Sequence, residues 1–245
     1  MRMALLTEEG TWKHNKNRLH NVAGFFNKYH MRLIFGILVF LLVVLFANQS
    51  VSEPLVLNRD YVITKIDDNT IKFSGSFVEQ AGLMLVMSAT SMDTKTLIIS
   101  SPGGLMSEAA MVGIYLADAN VRVIIEKDTM CVSACAYAIM KAPDVDIQGK
   151  VVFHPPYYPY VPTEETLYSV LHSSSMMNLE LVSWFIESGY TLEFLKLIHE
   201  TTDNQTFMVF DNFESLKKFK SNDISYLPDN FTEYYTLMTG DELFK

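Results

Sequence analysis

Residues 96–154 read TLIISSPGGLMSEAAMVGIYLADANVRVIIEKDTMCVSACAYAIMKAPDVDIQGKVVFH. The short runs TLIIS, VRVIIE and VVFH are rich in Val, Ile, Thr and Phe, the composition of strands. Between them, SEAAMVGIYLADA and ACAYAIMKA repeat apolar residues at three and four, the period of a helix. Strand, helix and strand in succession close by right-handed crossovers onto a parallel sheet. The alternation extends backwards through the strands YVITKI and TIKFSG and the helical SFVEQAGLMLVMSAT. Beyond His154 it becomes helical, in ETLYSVLHSSSMMNLELVSWFIES and TLEFLKLIHET, with Thr163 as a cap and Glu164 and Glu165 in the first turn. The expectation is an α/β domain over residues 61–245, a parallel sheet with crossover helices and a helical C-terminal portion.

Three stretches in this block carry chemistry. Ser100-Ser101-Pro102-Gly103-Gly104 lies between a strand and a helix, where two glycines present bare N–H groups to negative charge; an ordinary strand-to-helix turn reads the same way. Ser133, within Cys131-Val132-Ser133-Ala134-Cys135-Ala136, sits at a second such junction. There it is either a nucleophile with the next residue's N–H beside it or the N-cap of a helix. His154 ends the following strand, which Pro155 and Pro156 cut off, and is either a base or a hydrogen-bonded structural residue. All three stretches fall at the same end of parallel strands, where open α/β sheets form their crevices.

The chain has two cysteines, and they bracket Ser133. In an oxidising compartment Cys131 and Cys135 close a disulfide over the turn if Cys131 is still on the strand; otherwise they are two small buried thiols. Two cysteines and the lack of an HExxH motif give no basis for a metal site. No GxxxxGK[ST] loop is present, and no cofactor is expected.

The succession of SPGG, helix, strand, a Ser followed by small residues, and a strand ending in His resembles the proteolytic subunit of the Clp protease and the wider ClpP/crotonase superfamily. IKFSGSF is similar to that superfamily's first core strand and turn, and Cys on both sides of the Ser is similar to predicted periplasmic proteins of the group. The resemblance covers about residues 70–224. It implies a serine peptidase acting on a peptide or protein substrate, with Ser133 as nucleophile and His154 as general base. The N–H groups of Gly103 and Ala134 would form the oxyanion hole, and Gly104 and Leu105 would border an extended substrate. The family's Asp stands shortly before a stretch like Phe207–Phe210; here Asp203 lies slightly too far upstream, with Asn204 and Gln205 as other occupants. Lys141 is the candidate base of a Ser/Lys variant. An inactive relative that binds peptides or scaffolds an oligomer is the alternative to an enzyme. An acyl-CoA enzyme of the crotonase type leaves the Ser/His pair unexplained. Homo-oligomers are usual in the family.

The remaining sequence concerns location. The 245 residues carry a net charge of −9 and are 49% hydrophobic, with a mean hydropathy of +0.14. Residues 1–47 hold six basic residues (Arg2, Lys13, Lys16, Arg18, Lys28, Arg32) against Glu8 and Glu9, a balance of +4 that leaves −13 for the rest. A domain so acidic, without a basic stripe, excludes nucleic acid as its main partner. Leu33–Ala47, LIFGILVFLLVVLFA, is fifteen apolar residues without a charge. With Met31 and the stem of Arg32 it approaches the ~17–20 residues of a spanning helix. The expected organisation is a cytoplasmic basic tail at 1–31, a transmembrane signal anchor at 32–48, a linker at 49–60 and the domain across the membrane, in the periplasm or its equivalent. A cleaved signal ending near Ser50 or Ser52 is the other reading.

Overall fold

The computed structural model describes residues 53–155, 179–203 and 205–244. The expected tail at 1–31, the apolar run Leu33–Ala47, the Thr163 cap with its first turn, and Asn204 lie outside the described residues. The chain divides into two units, Met1–Val51 and Ser52–Lys245, and every described element belongs to the second.

Period-two alternation makes the first strands: β2 (Tyr61–Lys65) buries Tyr61 and Ile63, β3 (Thr70–Gly75) buries Ile71 and Phe73, and β4 (Thr96–Ser100) buries Leu97 and Ile99. With β1 (Glu53–Leu57), β5 (Arg122–Ile125) and β7 (Asp144–Ile147) they form a six-stranded sheet ordered β1-β2-β3-β4-β5-β7. The pairs β1–β2 and β2–β3 are antiparallel, and from β3 to β7 the sheet is parallel. A second, four-stranded sheet is ordered β10-β9-β8-β6, from β6 (Met130–Val132), β8 (Lys150–Phe153), β9 (Thr206–Phe210) and β10 (Thr236–Thr239). Only its β6–β8 pair is parallel.

The chain thus leaves the first sheet twice to enter the second. After β5 it turns through Glu126–Thr129, where the Thr129 N–H and hydroxyl both donate to the Glu126 carbonyl and Asp128 takes φ +62°. After β7 it turns at Gly149, where a Cβ would stand 2.2 Å from the Thr129 carbonyl oxygen. VRVIIE and the strand that ends at the Ser133 turn are therefore separate strands in different sheets. The two backbone turns pack on each other and re-aim β6 and β8.

Helices α1 (Ala81–Ser91), α2 (Met106–Asp118) and α3 (Ala134–Ile139) make the crossovers, α1 packing on α2 and α2 on α3. The N-terminus of α1 is capped from outside. The nearly buried Glu108 of α2 accepts hydrogen bonds from the Gln80, Gly82 and Leu83 N–H groups at 3.1, 2.9 and 3.4 Å. Helix α4 occupies 179–187, followed by α5 (Leu192–Thr201), capped by the Thr191 hydroxyl, α6 (Phe213–Lys217), capped by Asn212, and the one-turn α7 (Gly240–Leu243).

Two expectations change. Residues 53–57, read as linker, add an edge strand, because Leu57, Val56, Pro54 and Glu53 pair with β2. The C-terminal portion is not wholly helical: TFMVF is a short, nearly continuous apolar run of strand formers, buried through Phe207–Phe210, and it pairs with both β8 and β10. Most buried side chains form one core that runs from the first sheet and its helices to one face of the second sheet, through Val151, Phe153, Met208 and Phe210. A smaller cluster, Val132, Val152, Phe207, Val209 and Leu243, fills the other face of the second sheet beneath α7. Among the described residues no helix is long and apolar enough to cross a membrane.

Candidate active site

The two sheets meet where β4 ends. Ser101 lies beside Cys131 in a parallel bridge, its N–H donating to the Met130 carbonyl (2.8 Å) and its carbonyl accepting from the Val132 N–H (2.9 Å). Three strand ends, those of β4, β6 and β8, are thereby side by side and point the same way.

Beyond β4, Gly103 and Gly104 take φ of +99° and +135°. Their lack of side chains is required by contact as well as conformation. A Cβ on Gly103 would stand 2.7 Å from both Ser133 Cβ and the Val132 carbonyl oxygen, and one on Gly104 would stand 2.5 Å from the Phe77 carbonyl oxygen. The segment is held extended against Phe77, whose N–H donates to the Gly103 carbonyl (2.8 Å) and whose carbonyl accepts from the Leu105 N–H (2.7 Å). The Gly103 N–H donates to the buried Ser101 hydroxyl oxygen at 3.0 Å. The N–H groups of Gly104 and of Ala134, the first residue of α3, donate to no acceptor among the described residues.

Ser133 sits between β6 and α3 with φ +57° and ψ −124°. For a residue with a side chain this conformation costs about 1–3 kcal/mol and persists only where the surroundings impose it. Its N–H donates to the Val152 carbonyl (2.9 Å), and its carbonyl accepts from the Tyr137 N–H (3.1 Å). Its hydroxyl makes no capping hydrogen bond, which removes the plain N-cap role. Cys131 and Cys135 are joined in a disulfide with a Cα–Cα distance of 5.2 Å, and both residues are fully buried.

His154 follows β8. Because Val132 pairs with Val152, Ser133 and His154 leave adjacent parallel strands one residue apart in register. The ring is largely buried, and that burial holds its pKa below the ordinary 6.5 while a hydrogen bond to the Pro155 carbonyl pulls the other way. Nδ1 lies 2.7 Å from that carbonyl oxygen. With a proton on Nδ1 to donate there, the lone pair resides on Nε2. Phe207 packs against the ring edge-on, 5.6 Å between centroids.

Asp203 lies at the N-terminal end of β9, which antiparallel pairing brings to the His154 end of β8. Its carboxylate is exposed and accepts from the Gln205 and Thr206 N–H groups at 2.8 and 2.7 Å, which hold its pKa below the usual carboxylate range. Those bonds turn it onto its own loop. Lys141 lies past α3, where it pairs with Glu187 at 2.5 Å and covers the Trp184 ring at 4.3 Å. Its ammonium is thus engaged away from Ser133.

Two residues take roles in the site that sequence reasoning did not assign to them. Ser101 receives the Gly103 N–H. Tyr137, fully buried one helical turn after Ser133, donates its hydroxyl to the His154 carbonyl at 2.8 Å and so ties the nucleophile's helix to the base's strand. Burial pushes its phenol well above the usual value. The sequence signal was the spacing of four in Ser133-Ala134-Cys135-Ala136-Tyr137, which also describes a simple core aromatic. Beside the first turn of α2, a cavity of about 60 Å³ is lined by Met106, Ser107, Ala110, Glu180, Leu181 and Trp184. Among the described residues no group of three His, Cys, Asp or Glu side chains is placed to hold a metal ion. No protein-family model and no curated protein matches this chain.

Proposed function

We propose that the domain is a serine peptidase of the Clp-like kind, with Ser133 as nucleophile and His154 as general base. The observation that carries this reading is the backbone of Ser133. A serine held at φ +57° between a strand and a helix, with its hydroxyl unused as a cap, is the costly turn that presents an Oγ beside the next N–H.

The chemistry follows from the neighbours. His154 Nε2 takes the Ser133 proton as Oγ attacks the peptide carbonyl, and returns it to the leaving amine. The acyl ester on Ser133 is then hydrolysed by water activated the same way. The developing oxyanion would meet the Ala134 N–H and, of the two glycines, that of Gly104, since the Gly103 N–H is given to Ser101. One such donor is worth ~3 kcal/mol. The Pro155 carbonyl would orient the imidazole in place of the family's carboxylate, a neutral partner that makes a weaker base. The extended Gly104-Leu105 segment would pair with substrate as an added strand, and the cavity beside Met106 and Trp184 would receive a small apolar side chain.

The proposed setting is a single-pass membrane protein, anchored by Leu33–Ala47 with the domain outside the cytoplasm, as a homo-oligomer. The basic residues ahead of the apolar run support the orientation, and the disulfide supports an oxidising compartment. One observation favours a second reading: Asp203 is committed to its own loop, which fits an inactive peptide-binding relative.

A fluorophosphonate probe separates the two. Labelling at Ser133, lost in Ser133→Ala and His154→Ala, is the expected result. An unlabelled wild-type protein that still binds peptides would replace the enzyme with the binding module.

A further inference from the structure

The geometry points to the Cys131–Cys135 disulfide as the device that holds Ser133 in its reactive turn, so that the domain becomes competent only after this pair is oxidised. The inference rests on the reading of Ser133 as nucleophile. Ser133 is the central residue of the five-residue ring that the bond closes. Its left-handed backbone lies in a sparsely populated region, and something outside the residue must keep it there. Hydrogen bonds hold its two peptide groups separately: Ser133 N–H to the Val152 carbonyl on the strand side, with Val132 N–H to the Ser101 carbonyl one residue earlier, and Tyr137 N–H to the Ser133 carbonyl on the helix side.

The disulfide adds a covalent tie from the strand before the turn to the helix after it. Cys131 is anchored in β6 opposite Val151 and beside Ser101, and Cys135 lies in the first turn of α3. Both residues are fully buried, so the link runs under the turn and leaves the Ser133 face open. A second helical turn then fixes α3 in turn, through Tyr137 to His154 and Trp184 to the Tyr137 carbonyl. Without the bond, Ser133 can relax toward ordinary backbone angles, which swings Oγ away from the Ala134 N–H.

The step is a thiol–disulfide exchange. Two cysteine thiols lose two protons and two electrons to a disulfide-carrying oxidant, which leaves as a dithiol. A chain made in a reducing compartment would carry a slack turn, and only oxidation across the membrane would set it.

The test uses the full-length protein in detergent, oxidised or treated with dithiothreitol, with thiol titration to score the pair. Fluorophosphonate labelling rate is read together with amide hydrogen exchange over residues 131–137 and circular dichroism. Reduction is expected to slow labelling roughly 10- to 100-fold and to speed exchange in that segment while the dichroism is unchanged. Oxidised glutathione is expected to restore both. Cys131→Ala/Cys135→Ala is expected to behave as the reduced protein whatever the redox state, and it alone decides if dithiothreitol fails to reach the buried bond. A folded protein without the bond that labels and exchanges like the oxidised one would overturn the inference. So would loss of the whole domain's dichroism on reduction, because the bond would then hold the fold and not the turn. If the oxidised protein does not label but reduction still opens 131–137, the peptidase reading fails and the positioning of the turn stands.

Discussion

The burial of His154 has a consequence that pH reveals. Desolvation disfavours the imidazolium and so favours the neutral ring, the form able to accept a proton. Labelling of Ser133 is therefore expected to stay level through neutral pH and to fall only below about 6.5, as the ring protonates. An acid limb with its midpoint above 6.5 would contradict this. Stability has the same sign. The folded pKa is lower than the unfolded one, so as pH falls the unfolded chain takes the proton first, and the contribution present above the unfolded pKa is lost on acidification. The glycines beside His154's partner act at the same scale. Gly103 is packed on Ser133 so closely that no other residue fits without moving the nucleophile.

At the scale of elements, the first crossover helix depends on a residue of the second. No side chain of α1's own entry caps it, and Gln80 enters at φ +68°. The Glu108 carboxylate from α2 satisfies three of its opening N–H groups instead, an arrangement that also complements the helix dipole. Glu108→Ala is expected to cost about 2–3 kcal/mol in urea unfolding, because buried donors lose a charged acceptor. Glu108→Gln is expected to recover part of that. Phe77 and the Gly103-Gly104 strip lie just before α1 and α2, so the loss should also be felt at the site as slower labelling. Equal stability of Glu108→Ala and wild type would show that the cap contributes nothing.

Across the whole molecule, the C-terminal turn closes the far face of the second sheet. Leu243, nearly buried, seals the small cluster of Val132, Val152, Phe207 and Val209. Val132 immediately precedes Ser133, Val152 stands two residues before His154, and Phe207 touches the His154 ring, so this cluster is the floor of the site. Leu243→Ala is expected to destabilise by about 2–3 kcal/mol, within the lower part of the range for a buried leucine. It should slow labelling although Leu243 lies far along the chain from Ser133. Unchanged thermal stability in that variant would make α7 an ornament of the sheet edge.

Local pattern determined a good deal. Alternation of strand and helix formers over residues 61–154 gave an α/β unit with parallel pairing, and the placement of SPGG, Ser133 and His154 at strand ends was readable because each lies within a few residues of its own strand. Both signals are short-range: period, turn residues and β-branched composition act over one element. What tertiary structure decided was everything set between distant elements. It split the strands into two sheets at Glu126–Thr129 and Gly149, through backbone turns that pack on each other. It turned the Gly103 N–H onto Ser101 and the Asp203 carboxylate onto its own loop, tied Tyr137 to His154, and joined the two cysteines. Hydrogen-bond partners and left-handed backbone angles depend on which groups compete at a given point in space, and residue order does not encode that competition locally.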